Sequence, residues 1–207
     1  MPWVYWVLVN LLTSGRGVAA CFIVVLSDTD YTSTVGRAKV FLVFTLAALS
    51  DPIDGPLARR LKVESTFGEI LDPVCDKALN WAVLYIIWQL CDIVPSRGIL
   101  LGVPYVIIAG YDFSTLALRI VKSCGYELNM KTSKVAKHRT VFFQVTLGAC
   151  LAFEVAREWL GPGMQMTLLL ALSLAGARIL WYTYLSGREY LTTVRPWELI
   201  SRPRTTV

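Results

Sequence analysis

Four aspartates, Asp51, Asp54, Asp72 and Asp76, carry the chemistry that the sequence offers most clearly. The first two are three residues apart and the last two are four apart, so within helices each pair lies on one face. Long apolar runs flank the stretch, and carboxylates at the end of an apolar helix are costly unless they face water, a cation or a metal. Four hard oxygen donors that converge on one site suit Mg²⁺ or Mn²⁺.

Small and basic residues accompany these aspartates. Gly55 and Ala58 have little or no side chain, so a ligand could approach the helix backbone closely, and Arg59 can bind a phosphate. Ser65 lies between the two aspartate pairs, where it could donate a hydrogen bond to a phosphate or cap the next helix, and both interpretations stay open. The combination predicts chemistry on a diphosphate, whose charge must be neutralised before a phosphoryl group can leave.

The elements that must position these residues are six apolar runs. The chain has 207 residues, of which 55% are hydrophobic, and a mean hydropathy of +0.54, which is too apolar for an ordinary soluble domain. Each run approaches the roughly 20 residues that cross a bilayer. The predicted fold is an all-α integral membrane domain over residues 1–185, followed by a polar tail over 186–207. The runs lie at about 3–27, 39–50 with the aspartates beyond, 67–94, 99–121, 140–160 and 164–185.

Basic residues indicate the orientation of these spans. They concentrate in the connections after the second and fourth spans and in the tail, whereas the opposite connections hold few of them. The positive-inside rule therefore predicts a multi-pass protein with both termini and the metal site at the cytoplasmic ends of helices 2 and 3. The net charge of +5 is explained in the same way, so we expect no nucleic-acid partner. Five scattered cysteines lack metal-ligand spacing and are predicted to be small core residues.

The aspartates belong to one longer pattern, D-x-x-D-G-x-x-A-R, eight residues, then G-x-x-x-D-x-x-x-D. This pattern resembles the signature of the CDP-alcohol phosphotransferases, membrane enzymes that make phospholipids, with no departure at any specified position. The flanking words FTLAALSD and FGEILDPVCDKAL are similar to the phosphatidylglycerophosphate synthase branch of that family. The resemblance implies transfer of a phosphatidyl group from CDP-diacylglycerol to an alcohol, with release of CMP and with the lipid tails in a groove open to the bilayer.

The resemblance also implies roles for individual residues. Asp51, Asp54 and Asp72 would bind the metal, and Asp76 would contact it and take the proton from the acceptor hydroxyl. The CDP-linked lipid would be bound by small and polar residues of the first three helices: Asn10, Thr13, Gly55, Ala58, Arg59, Ser65 and Gly68. Arg16, near Thr13, either faces this site or snorkels to the membrane surface.

The acceptor is predicted to be a small phosphorylated alcohol, with glycerol 3-phosphate as the first choice. Inositol phosphate, serine, or phosphatidylglycerol as in cardiolipin synthesis are the alternatives. The branch commonly carries arginine before an acid in the fourth span, whereas this chain has Tyr111 before Asp112. Candidate ligands for the acceptor phosphate, which could instead be charges that only set the topology, are Arg119, Lys134, Lys137 and Arg139.

A transporter and a structural membrane subunit are the two alternatives to an enzyme. An ion-coupled transporter would place acids near mid-span in several helices, whereas here they cluster at one edge beside Gly55, Ala58 and Arg59. A structural membrane subunit would not need four acids at this spacing. Glu154 and Arg178, inside the fifth and sixth spans, are predicted to pair with each other, and a homodimer is left open.

Overall fold

Six α-helices make up the part of the chain that the computed structural model describes, which is residues 2–61, 66–93, 95–123 and 134–194. Side chains are described for residues 11, 13–50, 71–89, 104–118, 120 and 135–189. The helices, in chain order, are α1 (Pro2–Asp30), α2 (Thr34–Leu61), α3 (Thr66–Ile93), α4 (Pro95–Ser123), α5 (Lys134–Ala156) and α6 (Pro162–Val194). The prediction of an all-α architecture is therefore confirmed for these residues.

The helices pack as a ring around one core. Helix α1 packs against α2 and α3, α3 packs against α4, α4 against α6, α6 against α5, and α5 against α2. The core contains Ile23, Phe44, Leu79, Ile108 and Leu147, each at most 2% exposed. Because consecutive helices are not always neighbours, residues far apart in the sequence meet inside the bundle.

The outer surface of the bundle is apolar. Large hydrophobic side chains such as Leu42 and Leu46 on α2 and Leu174 and Trp181 on α6 are exposed. Of the described helices, two are long and apolar enough to cross a membrane by length and composition, over Val135–Ala156 and Pro162–Glu189. Such an outer face is suited to hydrocarbon rather than to water.

Several helix ends differ from the predicted ones. The break between α1 and α2 covers only residues 31–33, because Ser33 caps α2 by accepting a hydrogen bond at Oγ from the Gly36 amide (2.8 Å). Helix α5 begins at Lys134, so the last part of the basic segment predicted as a connection, residues 134–139, is helical. Helix α6 begins with Pro162, which suits a first helical position, and continues to Val194, so the first part of the expected tail is helical.

A polar contact joins the α1–α2 turn to the turn after α5. Arg37 is buried, donates to the Thr32 carbonyl oxygen (2.9 Å) and pairs with Glu158. Hydrogen bonds from Thr34 and from Arg37 hold the pKa of the Glu158 carboxyl below its usual range. Gly36 is required here, since a Cβ at that position would lie 1.8 Å from the Asp30 carbonyl oxygen. These contacts hold the α1–α2 turn against the turn after α5 at one end of the bundle.

Two expectations about individual side chains are wrong. Arg178 does not pair with Glu154: it lies on the outer face of α6 over the Tyr182 ring, 5.8 Å from its centroid. Glu154 is buried and pairs instead with Arg157, three residues further on in the turn that follows α5, at 3.0 Å. Cys75 and Cys150 are buried as predicted, whereas Cys21 is exposed on the apolar outer surface.

Candidate functional site

The second aspartate pair lies on α3, where two other helices supply hydrogen bonds to it. Thr13 on α1 donates from Oγ1 to Oδ1 of Asp72 (2.7 Å), and Nη2 of Arg16 lies 3.7 Å from the same oxygen. Gln144 on α5 donates from Nε2 to Oδ1 of Asp76 (2.6 Å). Arg16 is only 2% exposed, so it faces the site and does not snorkel.

A close approach of α1 and α3 makes these contacts possible. A Cβ at Gly17 would lie 3.2 Å from Sγ of Cys75, the residue before Asp76. Glycine at this point therefore lets the two helices pack closely enough for the short Thr13 side chain to reach Asp72. Cys75 is buried in this contact.

Pro73 lies inside α3 between the two aspartates. Proline has no amide hydrogen, so the carbonyl of Glu69 lacks the donor that an ordinary residue at position 73 would supply. The backbone is nevertheless helical through residues 66–93. The missing hydrogen bond lies between residues 69 and 73, in the turn that carries Asp72 and before Asp76.

A cationic cluster, formed by Lys77, Asp112 and Arg139, adjoins the aspartate pair. Oδ1 of Asp112 on α4 accepts from Nζ of Lys77 at 2.6 Å and from Nη2 of Arg139 on α5 at 2.5 Å. All three side chains are buried or nearly so. Two cations share one carboxylate, so these three side chains together carry a formal net charge of +1, and the neighbouring Asp76 carboxylate also interacts with Lys77.

Arg139 has further donors in this cluster. Its Nε and Nη1 atoms are buried and have no hydrogen-bond partner in the part of the chain that the structure describes. Its guanidinium carbon lies 4.6 Å from the centroid of the Tyr111 ring. A buried donor without a partner is costly, so a group that brings acceptor oxygens, such as a phosphate, suits this position.

Other predicted site residues lie on described helices without described side chains. Asp51, Asp54, Gly55, Ala58 and Arg59 lie in the last turns of α2, and Gly68 lies in the first turn of α3. Both segments are helical, as the spacing predicted. Further residues with a described backbone only are Asn10 on α1, Arg119 on α4 and Lys134 at the start of α5.

Two predicted residues remain. Ser65 lies outside the described residues, so both interpretations of it stay predictions. Lys137 is exposed on α5, on a different face from the buried Arg139. Of the two candidates for the acceptor phosphate whose side chains are described, Arg139 is therefore the one that lies next to the aspartate helix, through Asp112 and Lys77.

The residues that sequence reasoning missed are Lys77 and Asn80, both on α3. Lys77 was visible in the LDP-x-x-DK word, but its partner on α4 was not. Asn80 is 1% exposed, one turn beyond Asp76, and within the described residues neither atom of its amide has a hydrogen-bond partner. The buried amide extends the polar character of this helix face deeper into the bundle.

The described half of the aspartate site fits a divalent metal. Asp72 and Asp76 present hard oxygen ligands from successive turns, and hydrogen bonds from Thr13 and Gln144 orient them, as is usual for metal-binding carboxylates. Among the described side chains no three histidine, cysteine or acidic groups come together, and Asp51 and Asp54 are not among those side chains. With all four carboxylates the donor set suits Mg²⁺ or Mn²⁺.

The sequence matches one protein family over most of its length. Residues 6–185 match the family described as CDP-alcohol phosphatidyltransferase. A Rickettsia bellii protein named CDP-diacylglycerol–glycerol-3-phosphate 3-phosphatidyltransferase is 27% identical, over 91% of this chain and 95% of its own.

Two further relatives are longer than this chain. The plastid and mitochondrial enzyme 1 of that same name from Arabidopsis thaliana is 34% identical over 53% of this chain and 38% of its own. A Rattus norvegicus protein named cardiolipin synthase (CMP-forming) is 28% identical over 72% of this chain and 51% of its own. The chain therefore spans about half or less of these two relatives and nearly all of the bacterial one.

Proposed function

Because the chain belongs to the CDP-alcohol phosphatidyltransferase family, we propose that it transfers a phosphatidyl group from CDP-diacylglycerol to glycerol 3-phosphate. The products are phosphatidylglycerophosphate and CMP. The observation that carries the proposal is the position of the cationic cluster, which begins at Lys77, immediately after the aspartate pair on α3. The aspartates suit the diphosphate of the donor, and the cationic cluster suits the phosphate of the acceptor.

At the phosphorus atom, the reaction forms one bond and breaks one. The acceptor hydroxyl oxygen attacks the phosphorus that carries the diacylglycerol, and the bond from that phosphorus to the CMP oxygen breaks. Asp76 takes the hydroxyl proton, and Gln144 holds its carboxylate in place. Asp51, Asp54, Asp72 and Asp76 would hold Mg²⁺ or Mn²⁺, which supplies charge neutralisation at the diphosphate.

The cationic cluster supports a phosphorylated acceptor. Lys77 and Arg139 exceed the charge of Asp112 by one, and Arg139 retains buried donors that an anion can use. Serine carries a single carboxylate whose charge is balanced by its own ammonium group, so it suits these cations less well than a phosphate does. A second candidate acceptor is phosphatidylglycerol, which also carries a phosphate, and the similarity to the rat cardiolipin synthase favours including it.

The acceptor assay uses the full chain in detergent with CDP-diacylglycerol. We expect CMP release with glycerol 3-phosphate to be the highest of the four acceptors and to exceed that with serine, which has no phosphate, by at least about tenfold, since one well-placed charged hydrogen bond contributes about 1.5–3 kcal/mol. Arg139→Gln should lose this preference, and the matched control Arg178→Gln, on the outer face of α6, should keep it. A highest rate with phosphatidylglycerol would favour cardiolipin synthesis. No CMP release with any acceptor would contradict the reaction class.

We also propose that all six helices cross the membrane, with the aspartate site at the cytoplasmic face. The support is the excess of basic residues on that side and the apolar outer surface of the bundle. In a background without native cysteines, an impermeant thiol reagent added to intact cells should label Thr32→Cys in the exposed α1–α2 turn and should not label Lys62→Cys. The opposite pattern would contradict this topology.

A further inference from the structure

Tyr111 is held in a fixed position between α5 and α6. Its hydroxyl is 3.0 Å from Oγ of Ser186, and one of the two donates a hydrogen bond to the other. A Cβ at Gly187 would lie 3.4 Å from Cε2 of Tyr111, so α6 approaches one edge of the ring closely. The ring thus has little freedom to turn or shift.

The other contact of this ring is with Arg139. The guanidinium carbon lies 4.6 Å from the ring centroid, and Nη2 donates to Asp112, the residue that follows Tyr111 on α4. The Asp112 contact alone would leave the planar group free to rotate about a single hydrogen bond. The aromatic face removes that freedom, and in a desolvated site it also attracts the cation.

We propose that Tyr111 is a positioning residue that sets the plane of the Arg139 guanidinium for the phosphate of the acceptor. The proposal rests on the proposed function and adds the residue that determines how tightly the acceptor binds. Tyr111 does not contact the acceptor in this scheme; it acts through Arg139, whose Nε and Nη1 are the buried donors that remain. The planar donors of arginine must be oriented to meet phosphate oxygens, so fixing the plane before binding lowers the entropy lost on binding.

The test compares variants that keep or remove the ring. Tyr111→Leu should raise the KM for the best acceptor roughly threefold to thirtyfold, the range given by a cation–π contact, while the KM for CDP-diacylglycerol stays within about twofold. Tyr111→Phe keeps the ring and should keep the acceptor KM within about threefold. Ser186→Ala removes the partner of the hydroxyl and should behave like Tyr111→Phe. If Tyr111→Leu does not purify folded, Tyr111→Met supplies the same measurement.

A double-mutant cycle separates positioning from general support of the fold. In the Arg139→Gln background, Tyr111→Leu should change the acceptor KM by less than about twofold, because the group on which it acts is gone. Equal effects of Tyr111→Leu in both backgrounds, or a lower Tm and kcat with an unchanged acceptor KM, would overturn the proposal. A wild-type protein that releases no CMP with any acceptor would overturn the proposed function and this inference with it, whereas an active wild type with an unmoved KM would overturn this inference alone.

Discussion

Replacing Asp76 by asparagine is expected to remove nearly all turnover, about 10²- to 10⁴-fold, while CDP-diacylglycerol still binds within several-fold. An acceptor hydroxyl has a pKa far above 7, so its attack depends on a positioned base. Asparagine keeps the size of the side chain and an oxygen that can still accept the hydrogen bond from Gln144, so the local structure is retained. The measurement is binding of CDP-diacylglycerol and release of CMP on the same preparation.

Asp51→Asn is the comparison for this prediction. If Asp51 is a metal ligand that bridges to the diphosphate, its replacement should weaken donor binding as well as turnover. Gln144→Leu, which removes the donor to Asp76 but not the carboxylate, should have a smaller effect on kcat than Asp76→Asn. If Asp76→Asn retains a large share of wild-type turnover, Asp76 is not the base and another group must accept the proton.

Removing divalent metal is expected to abolish CMP release, and Mg²⁺ or Mn²⁺ should restore it. The donor diphosphate and four carboxylates cannot share one site without cations, because their charges repel each other strongly at short distance. The check is a chelator titration followed by addition of each metal at constant ionic strength. Full activity in excess chelator would contradict the proposed site.

A Thr13 variant tests whether the orientation of Asp72 affects the affinity for the metal. Its hydrogen bond orients Asp72, and loss of such a bond typically lowers metal affinity about 10- to 100-fold. Thr13→Val should therefore raise the Mg²⁺ concentration for half-maximal activity by about tenfold or more and leave the activity at saturating Mg²⁺ much less affected. The matched control Thr45→Val, whose hydroxyl donates to the Phe41 carbonyl oxygen of its own helix, should leave that concentration unchanged. Equal curves for Thr13→Val and wild type would show that Asp72 does not depend on Thr13.

Local patterns predicted the helices that carry the aspartates, because their spacing and the long apolar runs are properties of one segment at a time. The sequence did not predict the cationic cluster, since Lys77, Asp112 and Arg139 meet only when α3, α4 and α5 pack side by side. The predicted pairing of Glu154 with Arg178 is wrong for the same reason. Packing with the other helices, rather than the sequence of α6 alone, determines which face of α6 points into the bundle. At the position before Asp112, where the resembling branch commonly has arginine, this chain has Tyr111. The guanidinium of Arg139, which belongs to the next helix, lies over the Tyr111 ring.

The helix ends were less predictable for a different reason. Clustered lysine and arginine indicate a connection between spans, but both are good helix formers, and the helix that begins at Lys134 includes Lys137 and Arg139. The same applies beyond residue 185, where Arg188 and Glu189 continue α6. Charge indicates where a span meets the membrane surface, whereas the helix itself can extend past that surface.

Pro73 makes the beginning of α3 easier to bend. Without an amide hydrogen at residue 73, α3 lacks the hydrogen bond to the Glu69 carbonyl oxygen, so it bends more easily over residues 69–73 than elsewhere. Thr13 of α1 holds the carboxylate of Asp72, and Gln144 of α5 holds that of Asp76. The first turn of α3 can therefore tilt while these two carboxylates keep their contacts with the neighbouring helices.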